Sequence, residues 1–146
     1  EIDEGVTIIN FGMGSANAAT VMDLLSAVAP KAVLFLGKTY ETLGDNNYAI
    51  SVYNTYLESN PDAAQVWNQL GLCKLNMEDN EGALQAFQTA MQIENNGMMQ
   101  TLKMNEIIAY EHLHEYKKAS VLMESYLKSY PDDETAQREY LFLKTR

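Results

Sequence analysis

Cysteine is almost absent from this chain. Cys73 is the only one, so no disulfide can close within it, and a reducing compartment is the expectation. Basic residues are scarce as well: ten Lys and Arg stand against twenty Asp and Glu, a net charge of −10. A surface of that sign repels a phosphate backbone, which excludes nucleic acid as an expected partner and leaves a basic peptide as one it would attract. No stretch reaches the roughly 18 apolar residues that a membrane-spanning helix needs, and the opening Glu-Ile-Asp-Glu has the wrong charge for a secretory signal. A soluble, cytoplasmic chain with no membrane partner is expected. Histidines number two, His112 and His114, and their spacing sets them on different faces of a helix. No metal site and no cofactor are read from them.

What is present is a spaced code. Hydrophobic residues make up 47% of 146, enough for one core or a short solenoid. In the stretch AQVWNQLGLCKLNMEDNEGALQAFQTAMQIENNG, residues 64–97, the landmarks are Trp67, Leu70, Gly71, Ala83, Phe87 and Ala90. The small residues let two antiparallel helices approach closely, and the large ones fill the space between them and the next hairpin. A hairpin of this kind cannot bury its apolar faces alone, so similar units must flank it. Stepping back 34 residues from Gly71, Ala83 and Phe87 gives Gly37, Ala49 and Tyr53, with Pro61 closing that unit. Stepping forward, Tyr110, Ala119, Met123, Tyr126 and Pro131 repeat the second half, after two extra residues near positions 96–99. In the first half of that third unit, Glu106 and Ile107 stand where Leu and Gly are expected. Cys73 lies beside the packing positions and reads as a buried thiol rather than a nucleophile.

These landmarks and their 34-residue period resemble the tetratricopeptide repeat. The expectation is a mainly α fold: a helical-hairpin solenoid of three repeats over 30–63, 64–97 and 100–133, with a closing helix at 134–144. The acids at Asp132, Asp133 and Glu134 after Pro131 mark a helix start rather than a catalytic pair.

The front of the chain is foreign to the repeats. Residues 6–12 are β-branched and apolar, run into Gly12-Met13-Gly14-Ser15, and lead to an amphipathic helix carrying Val21, Leu24, Leu25 and Val28. Strand, glycine turn and helix is the reading for a segment 1–29. From about Glu4 to Lys38 the letters resemble a piece of AMP nucleosidase, within the nucleoside phosphorylase superfamily, and the resemblance stops at Thr39. It implies a chimeric or engineered chain, and an alternative function as a phosphate- or nucleotide-binding remnant without catalysis. Gly12, Met13, Gly14 and Ser15 would then form the anion cradle at a helix start. Residues 31–44 fit two patterns at once. As family fragment they are a strand; as repeat register they are a helix with Val33, Leu36, Gly37 and Tyr40 inside. Helix is favoured because a lone strand pair leaves two open edges. In that case residues 6–11 lie as irregular chain, pair across a homodimer, or coat Leu34 and Phe35.

By the resemblance to tetratricopeptide repeats, the first helices of the hairpins line a concave groove. Its places are Lys31, Leu34, Phe35 and Lys38, then Gln65, Asn68, Gln69, Leu72 and Asn76, then Thr101, Met104, Asn105, Ile108 and His112. Such a surface holds a peptide, the amides bonding its backbone while Leu72, Met104 and Ile108 take side chains. A non-enzymatic scaffold that binds protein or peptide is the function implied. The segments that would carry the nucleosidase's catalytic acid are missing.

Overall fold

The computed structural model describes residues 30–146. Among them the chain forms seven helices: α1 (Pro30–Thr42), α2 (Asn46–Ser59), α3 (Ala64–Asn76), α4 (Asn80–Gln92), α5 (Met99–His112), α6 (Tyr116–Ser129) and α7 (Glu134–Leu143). No strand occurs among the described residues. The segment that fits both strand and helix is therefore helical, with Val33 and Gly37 buried and Leu36 and Tyr40 packed on the same cluster. The expected strand at 6–12, the glycine cradle Gly12, Met13, Gly14 and Ser15, the helix after it and the pairing across a dimer lie outside the described residues.

Local chemistry sets the helix ends. Asp45, Asp79 and Asp133 cap α2, α4 and α7, accepting from the backbone N–H of Tyr48 at 3.1 Å, Gly82 at 3.0 Å and Ala136 at 3.0 Å. Each cap satisfies a donor that the first turn leaves without a partner. The turns between paired helices put one residue in the left-handed region: Gly44 at φ 81, Glu78 at φ 63 and His114 at φ 59. Only the first of the three uses the residue that adopts this conformation without steric cost. The lengthened connection before α5 is held by Asn96, whose Nδ2 donates to the Ile93 carbonyl at 3.0 Å while Oδ1 accepts from Met98 N–H at 2.8 Å.

Packing follows the repeat. Gly71 on α3 lies against the ring of Phe87 on α4, and Gly37 on α1 lies against the ring of Tyr53 on α2. Sixteen residues separate the members of each pair, and the same step joins Ile107 on α5 to Met123 on α6, both fully buried in one cluster. Phe87 is completely buried, which contributes roughly 2–3 kcal/mol of transfer free energy. Each helix packs on its neighbours in sequence, while α1 meets α3 and α3 meets α5, so three apolar clusters follow one another along the stack. The result is a short solenoid with α1, α3 and α5 along one side. Between units, Trp67 Nε1 donates to the Pro61 carbonyl at 2.8 Å, and Gln137 Nε2 reaches the Pro131 carbonyl in the same way.

Candidate functional site

The inner row of α1, α3 and α5 carries the predicted groove residues, and their surroundings differ sharply. Lys38, Gln65, Asn76, Thr101 and His112 are exposed, while Leu34, Leu72, Met104 and Ile108 are half-buried. Asn68, Gln69 and Asn105 are buried, at 7%, 9% and 8% exposure. Those three amides are engaged within the protein. Asn105 Nδ2 donates to Asn68 Oδ1 at 2.8 Å, joining α5 to α3. Gln69 Nε2 donates to Glu41 Oε1 at 3.1 Å, joining α3 to α1. Buried amides without partners would each cost about 1–3 kcal/mol, so the pairing lets a polar inner face exist inside the stack.

Glu41, which residue spacing did not single out, organises the first of these links. Besides Gln69, its Oε1 accepts the Tyr53 hydroxyl at 2.6 Å. Burial, followed by this carboxylate, pushes the Tyr53 hydroxyl well above its ordinary range. Burial first and Glu41 second push the Cys73 thiol up to about 11. Cys73 is fully buried, as its place in the repeat implies, and it is a protonated core residue.

At the far end the inner row opens into a cleft of about 500 Å³ between α5 and α7. Predicted groove residues Thr101, Met104, Asn105 and Ile108 form one wall, and Glu111, Asp133 and Glu139 line it too. Asp133 is already committed: it caps α7 and accepts the Tyr126 hydroxyl at 2.6 Å, and that hydroxyl first, then the capped backbone, holds its carboxyl below the ordinary range. Tyr126 in turn accepts from Gln100 Nε2 at 3.1 Å. Glu111 is different. Its Oε1 is buried without a hydrogen-bond donor among the described residues, and burial, then the neighbouring Glu139 carboxyl, push its pKa up to about 7. Two carboxyls can bond to each other only by holding a proton between them.

His112 turns away from this cleft. It lines a second depression with His114, Tyr116 and Asn80, and its carbonyl accepts from Asn80 Nδ2 at 3.3 Å. Among the described residues no three His, Cys, Asp or Glu side chains come together as a metal set, and no helix is long and apolar enough to cross a membrane.

Known proteins resemble this arrangement. The tetratricopeptide repeat family matches residues 30–63 and 64–96. The peroxisomal targeting signal receptor of Saccharomyces cerevisiae is 33% identical over 70 residues, which are 48% of this chain. The chain spans 11% of that relative's length. Among solved structures, the TPR domain of OM64 from Arabidopsis superposes with a TM-score of 0.67 at 20% identity, covering 80% of this chain and 94% of that one. The second TPR domain of human RPAP3, solved in complex with the HSP70 peptide SGPTIEEVD, gives 0.67 at 18% identity, covering 78% and 93%. At such identities the likeness speaks for the fold.

Proposed function

We propose that the chain, whose residues 30–63 and 64–96 match the tetratricopeptide repeat family, is a non-enzymatic scaffold whose inner face binds a peptide segment of a partner protein. The hairpin α5–α6 is read as a third repeat over 100–133, with α7 as its closing helix. The observation that carries the reading is the open inner row, where half-buried Leu72, Met104 and Ile108 sit beside amides already fixed in place. Apolar side chains of that exposure gain from being covered, and rigid polar neighbours set the register of what covers them. A solved domain of the same fold holds a peptide, the human RPAP3 domain with its HSP70 segment. That peptide is acidic, and the cleft here has acids where a carboxylate ligand needs cations, so the same ligand class is not expected. Lys31 and Lys38, both on α1, are the lysines of the predicted groove set. The resemblance of the front segment to AMP nucleosidase, and the chimeric origin it implies, concern residues mostly outside those described and add nothing to this reading.

The test is selection of short random peptides displayed on phage against the full chain, followed by fluorescence anisotropy of the recovered sequences. Leu72→Arg or Ile108→Arg should abolish binding, while Val121→Arg, on an exposed face of α6, should leave it unchanged. Binding that survives both inner-face variants, or no recovered peptide, rejects the reading.

A further inference from the structure

The inner row repeats a spacing whose chemistry changes from one end to the other. Glu41 near the end of α1 and Gln69 in the middle of α3 are 28 residues apart, and they meet as acceptor and donor. Glu111 on α5 and Glu139 on α7 have the same 28-residue separation. There the donor is missing: an acid stands where Gln69 would be, and Glu111 Oε1 is buried without an N–H or O–H among the described residues to satisfy it. The cleft around them is lined by three carboxylates and by no Lys, Arg or His. One of the three, Asp133, is already spent on Tyr126 and the α7 cap. Asn105, at 8% exposure, lines the same cleft and is held in place by its Nδ2 bond to Asn68.

We propose that this cleft is a subsite for a cationic side chain, Lys or Arg, of the bound peptide. Its charged head lies between Glu111 and Glu139, and its methylene stem lies along Met104 and Ile108. The inference rests on the peptide-binding reading above and names the chemistry its ligand must have. An ammonium or guanidinium supplies the donors that the glutamine of the first interface supplies internally. The long apolar stem of either residue suits a wall that is apolar along its length and acidic at its end. An acidic or apolar side chain in the same place would leave the buried Glu111 oxygen unsatisfied, and a neutral donor would leave the charge of the pair uncompensated.

The test uses the full chain and the phage-selected peptides. The expected result is enrichment of Lys or Arg at one fixed position, with Glu139→Gln weakening binding about ten-fold or more. Glu58→Gln removes an equal charge from an exposed place on α2 and should change affinity little. Replacing the peptide's cation by norleucine should make binding indifferent to Glu139→Gln. A second variant, Glu139→Lys, places a cation in the cleft from within; it should exclude basic peptides and raise thermal stability at neutral pH. Groove-dependent binding without a preferred cation overturns this inference and leaves the peptide reading standing. Equal losses from Glu58→Gln and Glu139→Gln also overturn it, because they assign the attraction to overall charge. Binding untouched by Leu72→Arg and Ile108→Arg overturns the peptide reading and the subsite with it.

Discussion

Asn105 Nδ2 donates to Asn68 Oδ1 at 2.8 Å, across 37 residues of chain, with both side chains buried. This bond fastens the third inner helix to the second where the apolar clusters of neighbouring units meet. Asn105→Ala should cost about 1–3 kcal/mol, because it leaves the Asn68 carbonyl buried without a donor. Removing both amides should cost less than the sum of the single changes. Urea unfolding of the two single variants and the double variant checks this. Additive losses would mean that water already serves both amides.

Gly71 is tied to Phe87 by shape alone. A Cβ at Gly71 would lie 2.8 Å from Phe87 Cδ1, far inside contact distance for a ring with no room to retreat. Gly71→Ala should therefore destabilise by about 1–3 kcal/mol, even though Ala is the better helix former by about 1 kcal/mol. The third hairpin shows how the clash is relieved, since Ile107 takes the glycine place where Met123 replaces the ring. Gly71→Ala combined with Phe87→Met should recover part of the loss. Thermal unfolding of the pair of variants decides whether the swap transfers.

That exchange also explains what the sequence reveals and what it hides. The first two hairpins are legible because Gly37 and Tyr53 recur as Gly71 and Phe87 at a fixed step, a signal carried by residue size. The third is fainter because Ile107 and Met123 change both letters, sharing between the two helices the bulk that Phe87 or Tyr53 supplies from one. Position on the inner face is equally legible for Asn68, Gln69 and Asn105. Their closure on one another and on Glu41 is not, because an amide's partner depends on the offset between helices rather than on its own place. Glu111 and Glu139 were detectable only by comparing their 28-residue separation with that of Glu41 and Gln69. Ambiguity over residues 31–44 had a different origin. A short apolar run satisfies a buried strand and a buried helix alike, and stacking on α3 decides for the helix.

Cys73 should be inert in the native state. It is fully buried, and burial, with Glu41 behind it, pushes its thiol up to about 11, so little thiolate exists at neutral pH and none is accessible. Labelling with a thiol-reactive disulfide reagent should be negligible until the chain unfolds, and its rate in urea should follow the unfolding transition. Fast labelling of the folded protein would place Cys73 in a unit that opens locally.

Glu111 should make stability depend on pH in the sense opposite to that of a salt-bridged acid. Its pKa rises from an ordinary 4.5 to about 7, first through burial and then through Glu139 on α7. Glu78, His112, His114 and Arg146 line the depression on its other side. Between about pH 4.5 and 7 the native state binds more protons here than the unfolded chain, so this group's contribution to stability falls as pH rises through that window. Above it the cost is fully present; below it the cost vanishes. Glu111→Gln keeps a neutral side chain of the same shape at every pH, so its stability should match wild type near pH 5 and exceed it near pH 8. Equal stabilities of the two proteins at both values would mean that water reaches the Glu111 carboxylate and the pair carries no strain. A gain confined to high pH would identify an interface held slightly unstable by a missing cation, which is the condition a basic ligand would relieve.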